Sequence, residues 1–167
     1  IETHGDSVVS ITDEMVRVEG SSMGLQAGDK ISLYNLCVGM LLSSGNDAAN
    51  AASMYISKNR FSGLMNIRAR ELGMLSTSFV TPSGLDDEKH YTTAHDMALL
   101  GGAAIKNLMF KEIASSKSMT ITYNLGKTTV RLSNHNKLLS MANGCIGIKT
   151  GFTKKSGRCL VSAVERD

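Results

Sequence analysis

The spacing of apolar residues changes once along this chain, and that change limits the fold more than any other feature. Leu33, Leu36, Cys37, Met40 and Leu41 recur at the i, i+3, i+4, i+7, i+8 spacing of one helix face, which predicts a helix over 32–42. After Ser43-Ser44-Gly45, the run Ala48, Ala49, Ala51, Ala52 and Tyr55 predicts a second helix. Asn46 or Asp47 is expected to cap it, because a short polar side chain accepts from the free amides at a helix start. Phe61, Leu64, Met65, Ala69 and Leu72 predict a third helix ending near Gly73, with this face in the core. Thr93-Ala94-His95-Asp96 has capping-box form for a further helix whose inner face carries Met97 and Leu100. Beyond Lys117 the period becomes two. Met119–Tyr123 and Thr128–Leu132 flank Asn124-Leu125-Gly126-Lys127 as a hairpin, and Ile146–Thr150 and Cys159–Val164 read as two further strands joined through Lys154-Lys155-Ser156-Gly157. Helices in the middle and antiparallel strands at the end make an α+β fold, helical over about 30–115 and sheet over about 117–167.

The remaining segments are less regular. Val8-Val9-Ser10-Ile11 and Met15-Val16-Arg17-Val18 are short β-branched runs that predict edge strands or extended arms. Gly20-Ser21-Ser22, Gly24 and Gly28-Asp29 mark surface loops, with a structural turn expected at Ser21–Gly24. Residues 76–92 lose periodicity and predict a long ordered loop, in which His90 hydrogen-bonds to backbone.

A chain of 167 residues suits one well-buried core, so a single domain over 1–167 is expected. At 42% hydrophobic and 20% charged, the composition is that of an ordinary folded domain, and no stretch approaches the ~20 apolar residues of a membrane span. A net charge of +3, spread over isolated lysines and arginines, argues against nucleic acid as a partner. Cys37, Cys145 and Cys159 have neither disulfide-framework nor metal spacing and are expected as buried thiols, with a Cys145–Cys159 bridge as the alternative. The ten methionines serve as core filler in a chain without tryptophan. Ile1–Asp6 lacks the basic start and apolar run of a cleavable signal and reads as the middle of something longer. His4, His90, His95, Asp96 and His135 are too scattered for a Ser-His-Asp triad or a metal site, so no metal or cofactor is expected.

Two triplets carry the chemistry. Ser44-Gly45-Asn46 falls on the connection between the first two predicted helices, and Lys149-Thr150-Gly151, followed by Phe152 and Thr153, falls on a predicted strand. Acyl transfer at a peptide bond needs a nucleophile, a proton carrier, oxyanion donors and a grip on the substrate. A strand lysine supplies fixed positive charge, the neighbouring threonine a hydroxyl, and Gly151 a bare strand edge along which an extended peptide can lie. Asn46 can hold a substrate carbonyl while the Ser44 hydroxyl relays a proton. Each triplet alone is a weak signal; their order and settings together are stronger. They are two of the three elements of the penicillin-recognising active-site serine enzymes. The third, Ser-x-x-Lys, does not occur: no lysine of the chain has a serine three residues before it.

The resemblance extends well beyond the triplets. Gly39–Asn50, Glu71-Leu72-Gly73-Met74, Thr81-Pro82-Ser83-Gly84-Leu85, His90–Ala94, Asn136-Lys137-Leu138-Leu139 and Gly147–Thr153 are similar to the serine D-alanyl-D-alanine carboxypeptidases, the low-molecular-mass penicillin-binding proteins. The resemblance implies the α+β transpeptidase and β-lactamase-like fold, and removal of the terminal D-alanine of peptidoglycan pentapeptide through an acyl-enzyme. Stem peptides ending in D-Ala-D-Ala and β-lactam antibiotics are the implied partners. By position it makes Ser44 the proton relay, Asn46 the binder of the substrate's peptide carbonyl and Lys149 the electrostatic partner of the relay. Thr150 would hold the terminal carboxylate, Phe152 would offer its backbone amide to the oxyanion, and Gly151 and Thr153 would complete the substrate strand. In the family the Ser-x-x-Lys precedes a segment like Ile1–Asp6 and further sheet follows one like Asp167, so a piece clipped at both ends, inactive alone, is expected. An exported parent acting outside the cytoplasmic membrane is implied likewise. A class A β-lactamase would be expected to carry a Glu-x-x-Leu-Asn between the triplets, and Glu71, Glu88 and Glu112 all lack that context. A wall-binding homologue without catalysis would be expected to drift at Asn46 and Lys149, and both are intact.

Overall fold

The computed structural model describes residues 5–166; Ile1–His4 and Asp167 lie outside them, and with them His4 and most of the expected opening segment. The chain begins with strand β1 (Val8–Ser10), which pairs antiparallel with β2 (Lys30–Ser32), Val9 facing Ile31. Between them Met15–Val18 does not extend as its β-branched residues suggest. Asp13–Val16 instead forms a short helix, α1, with acidic residues in its first turn, where they favour the positive end of the helix dipole. It turns Met15 inward on the same side as Ile11.

Helix α2 (Leu33–Leu42) begins where Ser32 Oγ accepts from the Asn35 amide at 3.2 Å, and Leu36, Val38 and Leu42 on it are wholly buried. Helix α3 (Asn46–Ser57) packs its alanine face against α2, as the small residues permit. The N-cap of α3 is Gly45; Asn46 donates its amide to Glu19 O, while Asp47 accepts from one amide of the helix start, Ala48, but mainly from loop 22–25. Helix α4 (Phe61–Glu71) corrects the expectation of a core-facing stripe: only Ala69 is buried, while Leu64 and Ile67 are exposed, since the helix lies outside α3.

The expected long loop follows, and His90 anchors it by accepting at Nδ1 from the amides of Val80 (3.2 Å) and Thr81 (3.3 Å). Helix α5 (Ala94–Ala104) starts with Thr93 Oγ1 accepting from the Asp96 amide. The reciprocal half of the capping box is replaced by Asp96 accepting from the Ser76 amide and the Thr77 hydroxyl, which ties the helix start to the loop. Helix α6 (Leu108–Ser115) buries Ile113 and Ala114.

The period-two region forms two separate antiparallel ribbons. Strands β3 (Ser118–Tyr123) and β4 (Thr128–Ser133) enclose the predicted turn, with Asn124 and Leu125 both in the left-handed region. Asn124 locks this ribbon to β2 through paired bonds with the Lys30 backbone at 2.7 and 2.9 Å. After a short helix, α7 (Leu138–Met141), strands β5 (Cys145–Thr153) and β6 (Gly157–Val164) pair so that Lys149 faces Val161 and Gly151 faces Cys159. Helix α5 lies close against them: a Cβ on Gly101 would stand 2.9 Å from Ile148 Cδ1 and 3.3 Å from Val161 Cγ1. All three cysteines are free. Cys37 and Cys145 are half-buried, but Cys159 is exposed, because its strand has a single paired neighbour and little covering it. No helix of the described residues is long and apolar enough to cross a membrane.

Candidate active site

The two triplets, 105 residues apart in sequence, meet in space. Lys149 Nζ donates to Ser44 Oγ at 2.7 Å and to its neighbour's carbonyl, Thr150 O, at 2.8 Å. Burial lowers the Lys149 pKa below its ordinary value of 10.5, since a charge in poor contact with water is disfavoured. With Lys149 donating to it, the Ser44 hydroxyl retains its own proton to donate outward, as a relay needs.

Ser44 is held by the backbone. It sits at φ 56° on the α2–α3 connection, a left-handed conformation uncommon for a residue with a side chain. Bonds from the Ser43 and Gly45 amides to Gly39 O fix the turn on either side of it. Asn46 is buried; its amide Nδ2 donates to Glu19 O at 2.8 Å and its backbone N–H to Ser21 O at 2.8 Å, leaving one Nδ2 proton for another acceptor.

Asp47 is the residue that the sequence did not single out for the site. It is 2% exposed and accepts from the Ser22 hydroxyl (2.6 Å) and from the amides of Met23, Gly24, Leu25 and Ala48 between 2.9 and 3.1 Å. The loop Ser21–Gly24, expected as a structural turn, is thereby bound to the start of α3. The adjacency of Asp47 to the triplet was its available signal, but it read equally well as a cap.

On the β5 side, Thr150 is half-buried and Gly151 and Phe152 are exposed, Phe152 at 70%. Strand β5 pairs only with β6 among the described residues, so the other edge of Lys149–Thr153 has no strand against it. The Thr153 hydroxyl donates to Asp86 Oδ1 at 2.9 Å and accepts from the Ser156 amide at 2.9 Å, which joins the long loop to the tip of the ribbon. Between the triplets lies a cavity of about 330 Å³ with an apolar wall that includes Met40, Leu41, Met97, Leu100 and Phe110. Ser44, Asn46 and Lys149 stand along it. His95 and Asp96 meet each other, Nδ1 to Oδ1 3.3 Å, but neither they, His90 nor His135 lines this cavity. No metal-holding group of His, Cys, Asp or Glu occurs among the described residues.

A serine hydroxyl bonded to a half-buried strand lysine, beside a helix-start asparagine and an open strand edge, stands on the fold of the DD-peptidases. The Streptomyces K15 DD-transpeptidase structure superposes with a TM-score of 0.89 at 32% identity, covering 96% of this chain and 68% of that one. D-alanyl-D-alanine carboxypeptidase DacC of Escherichia coli is 41% identical over 150 residues, 87% of this chain and 36% of that protein. DacF of Bacillus subtilis is 31% identical over 160 residues, 95% of this chain and 41% of that protein. Residues 2–167 match the peptidase family described as D-alanyl-D-alanine carboxypeptidase, and the chain belongs to that family. It spans roughly two-fifths of the length of these two carboxypeptidases.

Proposed function

We propose that these 167 residues are one part of a single catalytic domain of a serine D-alanyl-D-alanine carboxypeptidase that acts on peptidoglycan pentapeptide and is acylated by penicillins. The observation that carries this reading is the 2.7 Å contact between Lys149 and Ser44, because it joins the two motifs as a proton relay requires. The nucleophile comes from a Ser-x-x-Lys helix outside these residues, seated in the apolar groove. Burying the groove's walls would return on the order of 25 cal/mol for each Å² covered.

In this reading the substrate's end lies along the free edge of β5. Thr150 holds its terminal carboxylate, the remaining Asn46 Nδ2 proton its peptide carbonyl, and the Phe152 amide donates to the developing oxyanion. Gly151 lets the peptide approach the strand, and Thr153 keeps the strand's end in place through Asp86. The nucleophilic serine gives up its proton as it forms an ester with the penultimate D-alanine carbonyl, and that proton is passed through Ser44, whose oxygen Lys149 stabilises, to the amine of the departing D-alanine as its C–N bond breaks. Water then cleaves the ester. The β-lactamase alternative lacks its deacylating glutamate context, and none of the relatives described above bears that name. Cell-wall substrate places the parent protein outside the cytoplasmic membrane.

Intact mass spectrometry after incubation with benzylpenicillin, with and without a synthetic Ser-x-x-Lys helix peptide, tests the reading. The expected result is no adduct on the chain alone and an adduct on the added peptide when both are present. An adduct on the chain itself would make one of its own serines, Ser44 first, the nucleophile and overturn the assignment.

A further inference from the structure

A second cavity, of about 380 Å³, shares Pro82 with the first as a wall. Its lining is more mixed: Met54, Phe61 and Val80 supply apolar surface, and Arg17, Asn50, Ser53, Asn59 and Ser62 supply polar groups. Lys58 and Glu14 also line it but are paired with each other, which cancels their charges. Arg17 has no hydrogen bond or ion pair among the described residues, so the lining carries one uncompensated guanidinium.

The segment that carries Arg17 also builds the active site. Two residues on, Glu19 O accepts from Asn46 Nδ2, and Gly20 lies so close that a Cβ there would be 2.7 Å from that same nitrogen. Arg17, on the second cavity, is therefore tied by two residues of backbone to the group that holds Asn46, on the first, and Pro82 lines both cavities. Through Pro82 the polar cleft borders the groove along which Asn46 stands.

We infer that the cleft is an outer subsite of the same groove, in which Arg17 receives a carboxylate on the stem peptide upstream of its D-Ala-D-Ala end. A guanidinium offers paired donors in the geometry of a carboxylate, and Asn59 and Ser62 supply neutral hydrogen bonds beside it. This rests on the proposed carboxypeptidase reading and sharpens it: the enzyme recognises an acidic stem, not merely its terminal dipeptide.

Amide chemical-shift titration of this chain tests it with three probes: N-acetyl-D-Ala-D-Ala, L-Ala-γ-D-Glu-L-Lys-D-Ala-D-Ala, and the same pentapeptide with the glutamate α-carboxylate amidated. The acidic pentapeptide should shift Arg17, Asn59 and Ser62 as well as Asn46 and Thr150, and should bind about tenfold more tightly than its amidated form. In Arg17→Gln that preference should vanish while dipeptide binding stays as it was, and Arg17→Lys should recover part of it. Equal affinity for both pentapeptides, with the cleft amides unmoved and Asn46 and Thr150 still responding, overturns the subsite alone. Silence of Asn46 and Thr150 toward all three probes overturns the underlying reading and the subsite with it.

Discussion

The two sides of the groove are built differently. On the Ser44–Asn46 side, Leu36, Val38 and Leu42 are fully buried beneath the turn and Asp47 satisfies five donors at once. On the Lys149 side, the β5–β6 ribbon buries Ile148 but exposes Phe152 at 70%, Leu160 at 48% and Val164 at 47%. One half of the site is held by saturated polar bonding over a dense core; the other rests on packing against α5, α6 and α7 and on two side-chain bonds, Lys149 to Ser44 and Thr153 to Asp86. The difference teaches that the Ser44–Asn46 turn is fixed from beneath, whereas the strand that carries Lys149 leaves much of its surface exposed.

The largest effect should come from Asp47→Ala. It leaves the amides of Met23, Leu25 and Ala48 and the Ser22 hydroxyl without their acceptor, while Gly24 keeps Ser22 Oγ, and should cost about 3 kcal/mol or more, read from the urea midpoint. A loss below about 1 kcal/mol would erase the contrast between the two sides. Truncating each core then compares them directly: Leu36→Ala should cost about 3–4 kcal/mol and Ile148→Ala about 2 kcal/mol, and equal costs would mean equally tight packing.

Lys149 gives the comparison a pH dependence. Its folded pKa lies below the unfolded value near 10.5, so between the two the unfolded chain holds more protons and stability rises with pH. Below the folded pKa the penalty of the buried charge is present in full. The stability of the native chain relative to Lys149→Met should therefore climb as pH approaches 10.5; a difference independent of pH would mean that Lys149 is well solvated. The smallest effect belongs to Asp86→Ala. Its bond to Thr153 is exposed, so global stability should fall by less than about 1 kcal/mol, while the Ser156 amide exchanges faster with solvent. Unchanged exchange at Ser156 would show that the tip of the ribbon is fixed without the loop.

Much of this was legible because the signals were local. The α2 spacing, the Thr93 cap, the Asn124–Lys127 turn and the loop role of His90 all depend on residues close in sequence, and all were found in place. The misreadings arose where distant partners decided the outcome. Asp47 looked like a cap because four of its five donors come from loop 22–25, invisible to periodicity. The stripe on α4 looked like core because spacing reports a face without saying what covers it, and Cys159 looked buried for the same reason. The pairing of Ser44 with Lys149 could be expected only from resemblance, since no local rule connects residues so far apart.

Gly45 carries a last consequence. A Cβ at that position would stand 2.8 Å from Asp47 Oδ1 and 3.2 Å from the Met23 amide, the very atoms that bind loop and helix together. The middle letter of Ser-Gly-Asn is thus chosen by crowding beneath the turn and owes nothing to the reaction. A relative carrying a larger residue there must have rebuilt its Asp47 corner, so that one position serves as a marker of scaffold lineage within a motif otherwise read as a marker of catalysis.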